Sequence, residues 1–142
     1  MSGQQGITLE EALQQLSLIE SQLKQLQAAA AELETRLLQL GSLEEALASL
    51  RGGSEDVLVP LDPRATVVAR GTVKPLDKVI VHAGLDVFVE VSYDKAVDVV
   101  RKEKAEVSKL LDSYNREIAR LGQYYAALRA AIEQSLAAGR QQ

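Results

Sequence analysis

The chain of 142 residues contains no cysteine and no tryptophan, and only one phenylalanine, one methionine and one histidine. The lack of cysteine excludes disulfide bonds and thiolate metal sites, and it is compatible with a reducing compartment. Aromatic residues make up only 4% of the sequence although 46% of it is hydrophobic. This balance argues against a large compact core and favours an elongated molecule.

Charge and the N-terminal sequence exclude further classes of partner. The formal net charge is -4, so the chain lacks the basic surface that binds nucleic acid or an anionic membrane. No apolar run approaches the roughly 18 residues that a membrane-spanning helix needs. The first residues, MSGQQG, lack the basic and apolar regions of a secretion signal. We therefore expect a soluble intracellular protein in the cytoplasm, with no nucleic acid and no membrane as partner.

The sequence contains no recognisable catalytic site. His82 is the single histidine, and a lone histidine in a strand is far more often a structural or exposed residue than a catalytic base. The Gly52-Gly53 pair lacks the lysine and the strand-to-helix context of a phosphate-binding loop. We interpret this pair as a helix stop and a linker, and we expect neither an enzyme nor a bound metal or cofactor.

Each end of the chain carries a heptad pattern of apolar residues. Near the N-terminus, apolar stripes with a seven-residue repeat consist of Leu9, Leu16, Leu23, Ala30 and Leu37, and of Ala12, Ile19, Leu26, Leu33 and Leu40. Toward the C-terminus a single stripe has four-three spacing, made of Tyr93, Val97, Val100, Val107, Leu111, Tyr114, Ile118, Leu121, Tyr125, Leu128 and Ile132. A helix that buries only a narrow seam needs a partner. The pattern predicts a long antiparallel coiled-coil hairpin of two helices of nearly equal length.

The helix ends have their own signals. Thr8 and Glu11 have the spacing of a capping box, which predicts a first helix over residues 8–50 that stops before the glycine pair. The second helix is expected over residues 93–138. Gly41 and Ser42 weaken the first helix locally, and we expect bending or unwinding there.

One charged residue, Lys104, interrupts the apolar stripe of the second helix. Two interpretations are open. Lys104 either pairs with Glu44 on the opposite helix and fixes the register, or its ammonium group extends outward into solvent.

Between the helices lie four short segments rich in β-branched residues. They are VLVPL at 57–61, ATVVARGTV at 65–73, KVIVHA at 78–83 and DVFVEV at 86–91. Turn signals separate them, which predicts two successive β-hairpins. Two hairpins leave unpaired strand edges and bury little area, so we predict oligomerisation through the sheet. The candidate residues are Val57, Val59, Val67, Val79, Val81, Val87 and Val89.

Charge becomes sparse toward both chain ends. Thirteen charged residues lie from Asp94 to Arg120, but only Arg129 and Glu133 lie in residues 121–138. Residues 12–31 likewise hold only Glu20 and Lys24. In an antiparallel hairpin these two charge-poor stretches lie side by side.

Apolar residues outside the seam widen the apolar surface in these stretches, and they are Leu13, Leu18, Tyr124 and Leu136. An exposed apolar patch usually marks a binding site. Two other interpretations remain open. The extra residues could pack against a third or fourth helix of a bundle, or they could merely reflect an alanine-rich helix.

The segments EDVLVPLDPRATVVARGTV and KPLDKVIVHAGLDVFVEVSYDKAVD, set between two long heptad helices, resemble the alpha class of the prefoldin family. The resemblance covers essentially the whole chain. Its most specific parts are the VLVPL strand, the RGTV segment at 70–73 and the VIVHAGLDVFVE hairpin. The presence of two hairpins rather than one separates the alpha class from the beta class in that family.

The resemblance implies an assembly and an activity. The implied assembly is a hexamer of two alpha and four beta-class subunits, whose strands form a β-barrel platform that carries six coiled coils. The implied activity is that of an ATP-independent chaperone, or holdase, which binds non-native client proteins with apolar coil tips and transfers them to a group II chaperonin. We thus expect an α+β subunit spanning residues 1–142, with its two β-hairpins at 56–92.

Ten residues are the candidate client-binding set: Leu9, Leu13, Leu16, Leu18, Ile19, Tyr124, Tyr125, Leu128, Ile132 and Leu136. The alternative function is a structural coiled-coil tether or assembly scaffold that docks one dedicated partner. Such a tether ignores most unfolded proteins, whereas a chaperone binds many of them.

Overall fold

The structure is a computed structural model that describes residues 7–141, with side chains described from Ile7 to Gly139. The elements are α1 (Leu9–Leu50), β1 (Ser54–Pro60), β2 (Val68–Val73), β3 (Lys78–Gly84), β4 (Val87–Ser92) and α2 (Tyr93–Gln141). One long helix thus precedes two antiparallel β-hairpins in the chain and a second one follows them, which confirms the predicted α+β class. The segment Met1–Gly6, in which the sequence shows no secretion signal, lies outside the described residues.

The chain divides into two units by its internal contacts. The terminal unit combines residues up to Thr35 with those from Ser108 onward, and the central unit comprises Arg36–Val107. In the terminal unit Glu20 of α1 contacts Tyr125 of α2, and Gln22 to Ala29 lie beside Tyr114 to Leu121. In the central unit Arg36 pairs with Glu103 and Arg51 with Asp94. Within each unit, therefore, the two helical segments run antiparallel.

Both ends of α1 follow the sequence signals. The Thr8 amide donates to Glu11 Oε2 at 3.2 Å, and the Glu11 amide donates to Thr8 Oγ1 at 3.1 Å. These two bonds form the expected capping box. At the other end the Gly53 amide donates to the Leu50 carbonyl at 2.8 Å, and Gly53 has a φ of 84°. A Cβ atom at Gly53 would lie 2.8 Å from the Val73 carbonyl oxygen, so the close approach of β2 also requires glycine here.

The unwinding expected near Gly41 and Ser42 does not occur, because α1 is helical without interruption from Leu9 to Leu50. Leu40, immediately before the glycine, is fully buried at 0% exposure. Its packing in the seam outweighs the roughly 1 kcal/mol by which glycine disfavours a helix. The expectation of unwinding was therefore wrong at this position, whereas the expectation of bending stays a prediction.

The buried core consists of small and aliphatic side chains on the two helices. Its described members are Ala12, Ile19, Ala30, Leu40, Ala96, Val100, Leu111, Leu121 and Ile132. All of them except Ala96 occupy predicted seam positions. Leu9 was also placed in the seam but is 40% exposed, because it is the first residue of α1 and no earlier helical turn covers it.

Lys104, the charged residue that interrupts the seam, forms an ion pair. Lys104 Nζ lies 3.0 Å from Glu44 Oε1, and Arg101 Nε lies 3.9 Å from Glu44 Oε2. Glu44 Oε1 is buried, and the ammonium group lies close to it without the direction of a hydrogen bond. The contact is therefore mainly coulombic. It confirms the predicted pairing of Lys104 with Glu44, and its role in fixing the register stays a prediction.

The first hairpin pairs β1 with β2, with Val57 opposite Gly71 and Val59 opposite Ala69. β2 begins at Val68, three residues later than predicted. The reason is a turn organised by Asp62, whose carboxylate accepts bonds from the Thr66 amide at 2.7 Å and the Thr66 hydroxyl at 2.8 Å. The hydrogen bond from the Thr66 hydroxyl is the main cause that lowers the pKa of Asp62. Hydrogen bonds from backbone amides to the same carboxylate lower it further.

The second hairpin pairs β3 with β4, with Val79 opposite Val91 and Val81 opposite Val89. Its turn uses Gly84 with a φ of 111° and Leu85 with a φ of 49°. The start of α2 follows directly, and the Lys95 amide donates to Ser92 Oγ at 3.1 Å. This serine cap is a signal that the sequence analysis missed. Within residues 7–141 each strand pairs along one edge only.

The position of the seam predicts that substitutions of two nearby leucines of α1 change the free energy of unfolding by very different amounts. Replacing the fully buried Leu40 with alanine should lower the free energy of unfolding by about 2–5 kcal/mol, because it leaves a cavity between the helices. Leu38 is 74% exposed, so Leu38→Ala should change the same quantity by no more than about 0.5 kcal/mol. Denaturant titration of both variants measures the difference. Equal losses would contradict the assignment of the seam.

Candidate functional site

The candidate binding surface lies at the open end of the helical hairpin. We define this end as residues 7–20, which comprise the start of α1 and the two residues before it, together with residues 124–139 of α2. Five of the ten candidate residues are between 40% and 59% exposed, namely Leu9, Leu13, Leu18, Tyr124 and Leu136, and Ile7 in the same region is 46% exposed. Four of them were predicted to lie outside the seam. The heptad pattern thus correctly indicated the outward-facing position of these four residues, whereas it wrongly placed Leu9 in the seam.

The other five candidate residues lie deeper. Leu16, Tyr125 and Leu128 are half-buried, whereas Ile19 and Ile132 are buried at 5% and 7% exposure. In this conformation the two isoleucines hold the helices together beneath the surface. They support a binding surface rather than form its outer layer.

A shallow groove crosses the two helices at the open end. It has a volume of about 210 Å³ and is lined by Ile7, Thr8, Leu9, Ala12, Leu128, Ala131, Ile132 and Ser135. The sequence analysis missed Ile7 and Ala131. Ile7 had a recognisable signal, because it precedes the Thr8 cap and lies in the groove with Ala12, which is the spacing of a hydrophobic staple. The side chain that anchors the start of α1 therefore also forms a wall of the groove.

Two adjacent tyrosines connect α2 to α1 beside this groove. The Tyr125 hydroxyl donates to Glu20 Oε1 at 2.7 Å, and the Tyr124 hydroxyl donates to Gln15 Oε1 at 3.4 Å. The bond to the Glu20 carboxylate is the main cause that raises the pKa of Tyr125, with desolvation second. Tyr125 therefore links the two helices by the hydrogen bond of its hydroxyl, while its ring lies in the seam.

The charged side chains at the open end are mostly acidic. Among the described side chains they are Glu10, Glu11, Glu20, Arg129 and Glu133. The one basic group in this set, Arg129, places Nε 3.2 Å from Glu133 Oε1. The carboxylates of Glu10, Glu11 and Glu20 are exposed. Among the described side chains, the groove is thus surrounded mainly by negative charge.

The candidate oligomerisation residues lie on one face of each hairpin. Val57 and Val59 share a face with Gly71, since a Cβ atom there would lie 3.7 Å and 3.4 Å from their methyl carbons. The Val67 carbonyl accepts from the Leu61 amide at 3.0 Å, which extends the ladder. By strand alternation Val79 and Val81 share a face with Val87 and Val89.

The opposite faces of the hairpins also expose large apolar side chains, which the candidate set did not include. They are Leu58 and Val68 on the first hairpin, and Ile80 and Phe88 on the second. Leu85, at the tip of the second hairpin, is 92% exposed. The signal for these residues was the apolar character of both strand faces, which the sequence shows for Val79, Ile80 and Val81.

His82 has contacts of a structural kind. Its ring lies 4.9 Å from the ring of Phe88, centroid to centroid, and its Nε2 donates to the Leu85 carbonyl. The side chain thus supports the tight turn of the second hairpin. Over residues 7–141 no group of three or more histidine, cysteine or acidic residues is arranged to hold a metal ion. No helix in that range is long and apolar enough to cross a membrane.

The contact between Tyr125 and Glu20 predicts a pH-dependent effect. Because the pKa of Tyr125 is raised in the folded chain, its hydroxyl stabilises the fold fully below the unfolded pKa of about 10. This contribution is lost as the pH rises through the folded pKa. Ultraviolet absorbance titration should show a tyrosine step above pH 10 that shifts to lower pH in Glu20→Gln and is absent in Tyr125→Phe.

A matched control for this titration is Glu34→Gln, which removes the same charge from an exposed position elsewhere on α1. Its titration curve should match that of the unmodified chain. A Glu20→Gln curve that is also unchanged would show that the hydroxyl and the carboxylate do not interact.

Known proteins resemble this chain in both sequence and fold. The family model described as "Prefoldin subunit" matches residues 10–138. The chain is 61% identical over 132 residues to "Prefoldin subunit alpha" of Hyperthermus butylicus, which covers 93% of this chain and 86% of that protein. It is 30% identical to "Prefoldin subunit alpha" of Aeropyrum pernix, covering 98% of this chain and 96% of that protein.

A solved structure supports the fold. The chain matches one from the cryo-EM structure of filamentous PFD of Methanocaldococcus jannaschii with a TM-score of 0.68 at 24% identity, covering 86% of this chain and 98% of that one. The family match over almost the whole chain, the 61% identity and the two-hairpin architecture agree with one another. The chain belongs to the prefoldin family of chaperones, as an alpha-type subunit.

Proposed function

We propose that this alpha-type prefoldin subunit belongs to an ATP-independent holdase in the cytoplasm, which binds non-native polypeptides at the open end of its helical hairpin. In this proposal the bound client passes to a group II chaperonin, and the subunit has no role in catalysis. The assembly is a hexamer with four beta-class subunits and a second alpha subunit. Family membership and the surface of the open end support the proposal.

The observation that carries the proposal is the exposure of large apolar side chains where charged groups are few. Leu13, Leu18, Tyr124 and Leu136 are all exposed at the open end. Residues 7–141 contain two helices, and neither of them covers these side chains. An uncovered apolar patch of this kind is typical of a surface that binds other proteins.

The energetics of such a surface suit transient holding. A contact that buries about 400 Å² of apolar surface contributes about 10 kcal/mol gross at roughly 25 cal/mol per Å². The loss of translational and rotational freedom opposes binding by about 4–15 kcal/mol. One arm should therefore bind weakly. Several arms that engage one client together raise the affinity by about 10²- to 10⁴-fold, and each weak contact still allows release.

The hairpins supply the basis for assembly in this proposal. Each strand has one unpaired edge within the described chain, and both faces of each hairpin expose large apolar residues. A two-stranded ribbon with these properties is marginal alone and pairs readily with further strands. We infer that the strands of this chain join those of other subunits in a β-barrel platform.

Removal of the open end tests the client surface. A chain without residues 1–19 and 125–142, co-assembled with a beta-class subunit, should lose most of its ability to suppress aggregation of several unrelated denatured proteins. The triple variant Leu13→Ser, Leu18→Ser and Tyr124→Ser should show a smaller loss, because it replaces apolar contact area without shortening the helices. Light scattering during client dilution measures the suppression.

The matched control is Leu38→Ser, which replaces an exposed leucine of α1 outside the open end and should leave suppression unchanged. Undiminished suppression by an intact assembly with shortened hairpins would overturn the proposed surface. Suppression of one client among many would favour the dedicated tether instead.

Assembly is tested by mass measurement after co-expression with a beta-class subunit. The unmodified chain should give the mass of two alpha and four beta subunits. Val87→Asp with Val89→Asp places two charges on the exposed valine face of β4 and should reduce the assembled fraction at least tenfold. Leu110→Asp, at an exposed position of α2, is the control and should assemble normally. A complete hexamer of the valine variant would contradict the proposed role of this face.

A further inference from the structure

The groove at the open end has the size for one bulky side chain. Its volume is about 210 Å³, and a buried cavity of about 150 Å³ is already large enough for a benzene ring. Its apolar wall includes Leu9, Ala12, Leu128 and Ile132. A leucine, methionine or phenylalanine side chain of a bound polypeptide therefore fits into it, and the residues on either side of that side chain must lie across the rim.

The described side chains at the rim of the groove carry a net negative charge. Glu10 and Glu11 follow directly after Leu9 and are exposed, so they lie within one helical turn of the groove. The N-terminus of α1 carries a partial charge of about +0.5, which two full carboxylate charges exceed. Arg129 does not offset them, because its guanidinium group is paired with Glu133. The polypeptide residues that cross this rim thus meet an unfavourable environment if they are acidic and a favourable one if they are basic.

We propose that the groove selects polypeptide segments in which a bulky apolar side chain is flanked by lysine or arginine. This inference rests on the proposed function and adds the chemistry of the preferred client segment. The groove supplies the apolar contact, and the carboxylates of Glu10 and Glu11 supply the charge complementarity. Segments with the same apolar residues and acidic flanks bind less tightly.

The experiment uses the full-length chain assembled with a beta-class subunit and three labelled peptides. The first peptide has a leucine and phenylalanine core with lysine on both sides, the second has the same core with glutamate on both sides, and the third has lysine flanks around a serine core. Fluorescence anisotropy at low salt measures their dissociation constants. The lysine-flanked apolar peptide should bind most tightly, and the serine-core peptide should bind most weakly.

The double variant Glu10→Gln and Glu11→Gln isolates the rim. Glutamine at position 11 can still complete the capping box with Thr8, so the helix start is retained while two negative charges are removed. Each pair of unit charges about 8 Å apart in water changes a dissociation constant about twofold at 25 °C, so affinity for the lysine-flanked peptide should fall roughly fourfold. High salt should also weaken the preference for lysine flanks over glutamate flanks, since the screening length is only about 3 Å at 1 M.

The matched control is Glu32→Gln with Glu34→Gln, which makes the same change in net charge at two exposed positions of α1 outside the open end. It should leave the preference intact, which separates the rim from general attraction to an acidic protein. Equal affinity for the lysine- and glutamate-flanked peptides would overturn the inference but not the proposed function. A preference for lysine flanks that persists in the Glu10→Gln/Glu11→Gln variant would also overturn the inference but not the proposed function. Failure to bind any apolar peptide would overturn both.

Discussion

The contact between two narrow apolar seams is the interaction on which the rest of this structure depends. Neither helix has enough apolar surface to be stable alone in water, and each buries its stripe against the other. Because the pairing is antiparallel, the start of α1 lies beside the last turns of α2 in the terminal unit. The groove and the tyrosine contacts are consequences of this arrangement, since each of them combines residues of both helices.

Much of the fold could be predicted from the sequence because its signals are local or periodic. The capping box at Thr8 depends on residues three apart, and the glycine pair after Leu50 ends α1 where expected. The errors occurred where a tertiary or side-chain contact outweighed a local preference. Seam packing around Leu40 keeps α1 helical through Gly41, and the Asp62 carboxylate holds residues up to Val67 in a turn rather than a strand.

The candidate site was partly predictable for the same reason. A heptad pattern states which side chains turn away from the seam, and the exposure of Leu13, Leu18 and Tyr124 follows from it. The groove did not follow, because its walls combine Ile7 with residues more than one hundred positions later. A sequence pattern gives no distances across two helices. The faces of the hairpins opposite the candidate valines were left out of the candidate set, because strand alternation alone does not distinguish between two apolar faces.

The ion pair of Lys104 and Glu44 gives the helix pairing an unusual response to temperature. Burying charged groups is opposed by the loss of their hydration, and this opposition weakens on heating, whereas apolar burial gains little more. Glu44 is partly enclosed and has both Lys104 and Arg101 nearby, so its contribution to the alignment of the helices grows relative to that of the leucines as the molecule is warmed.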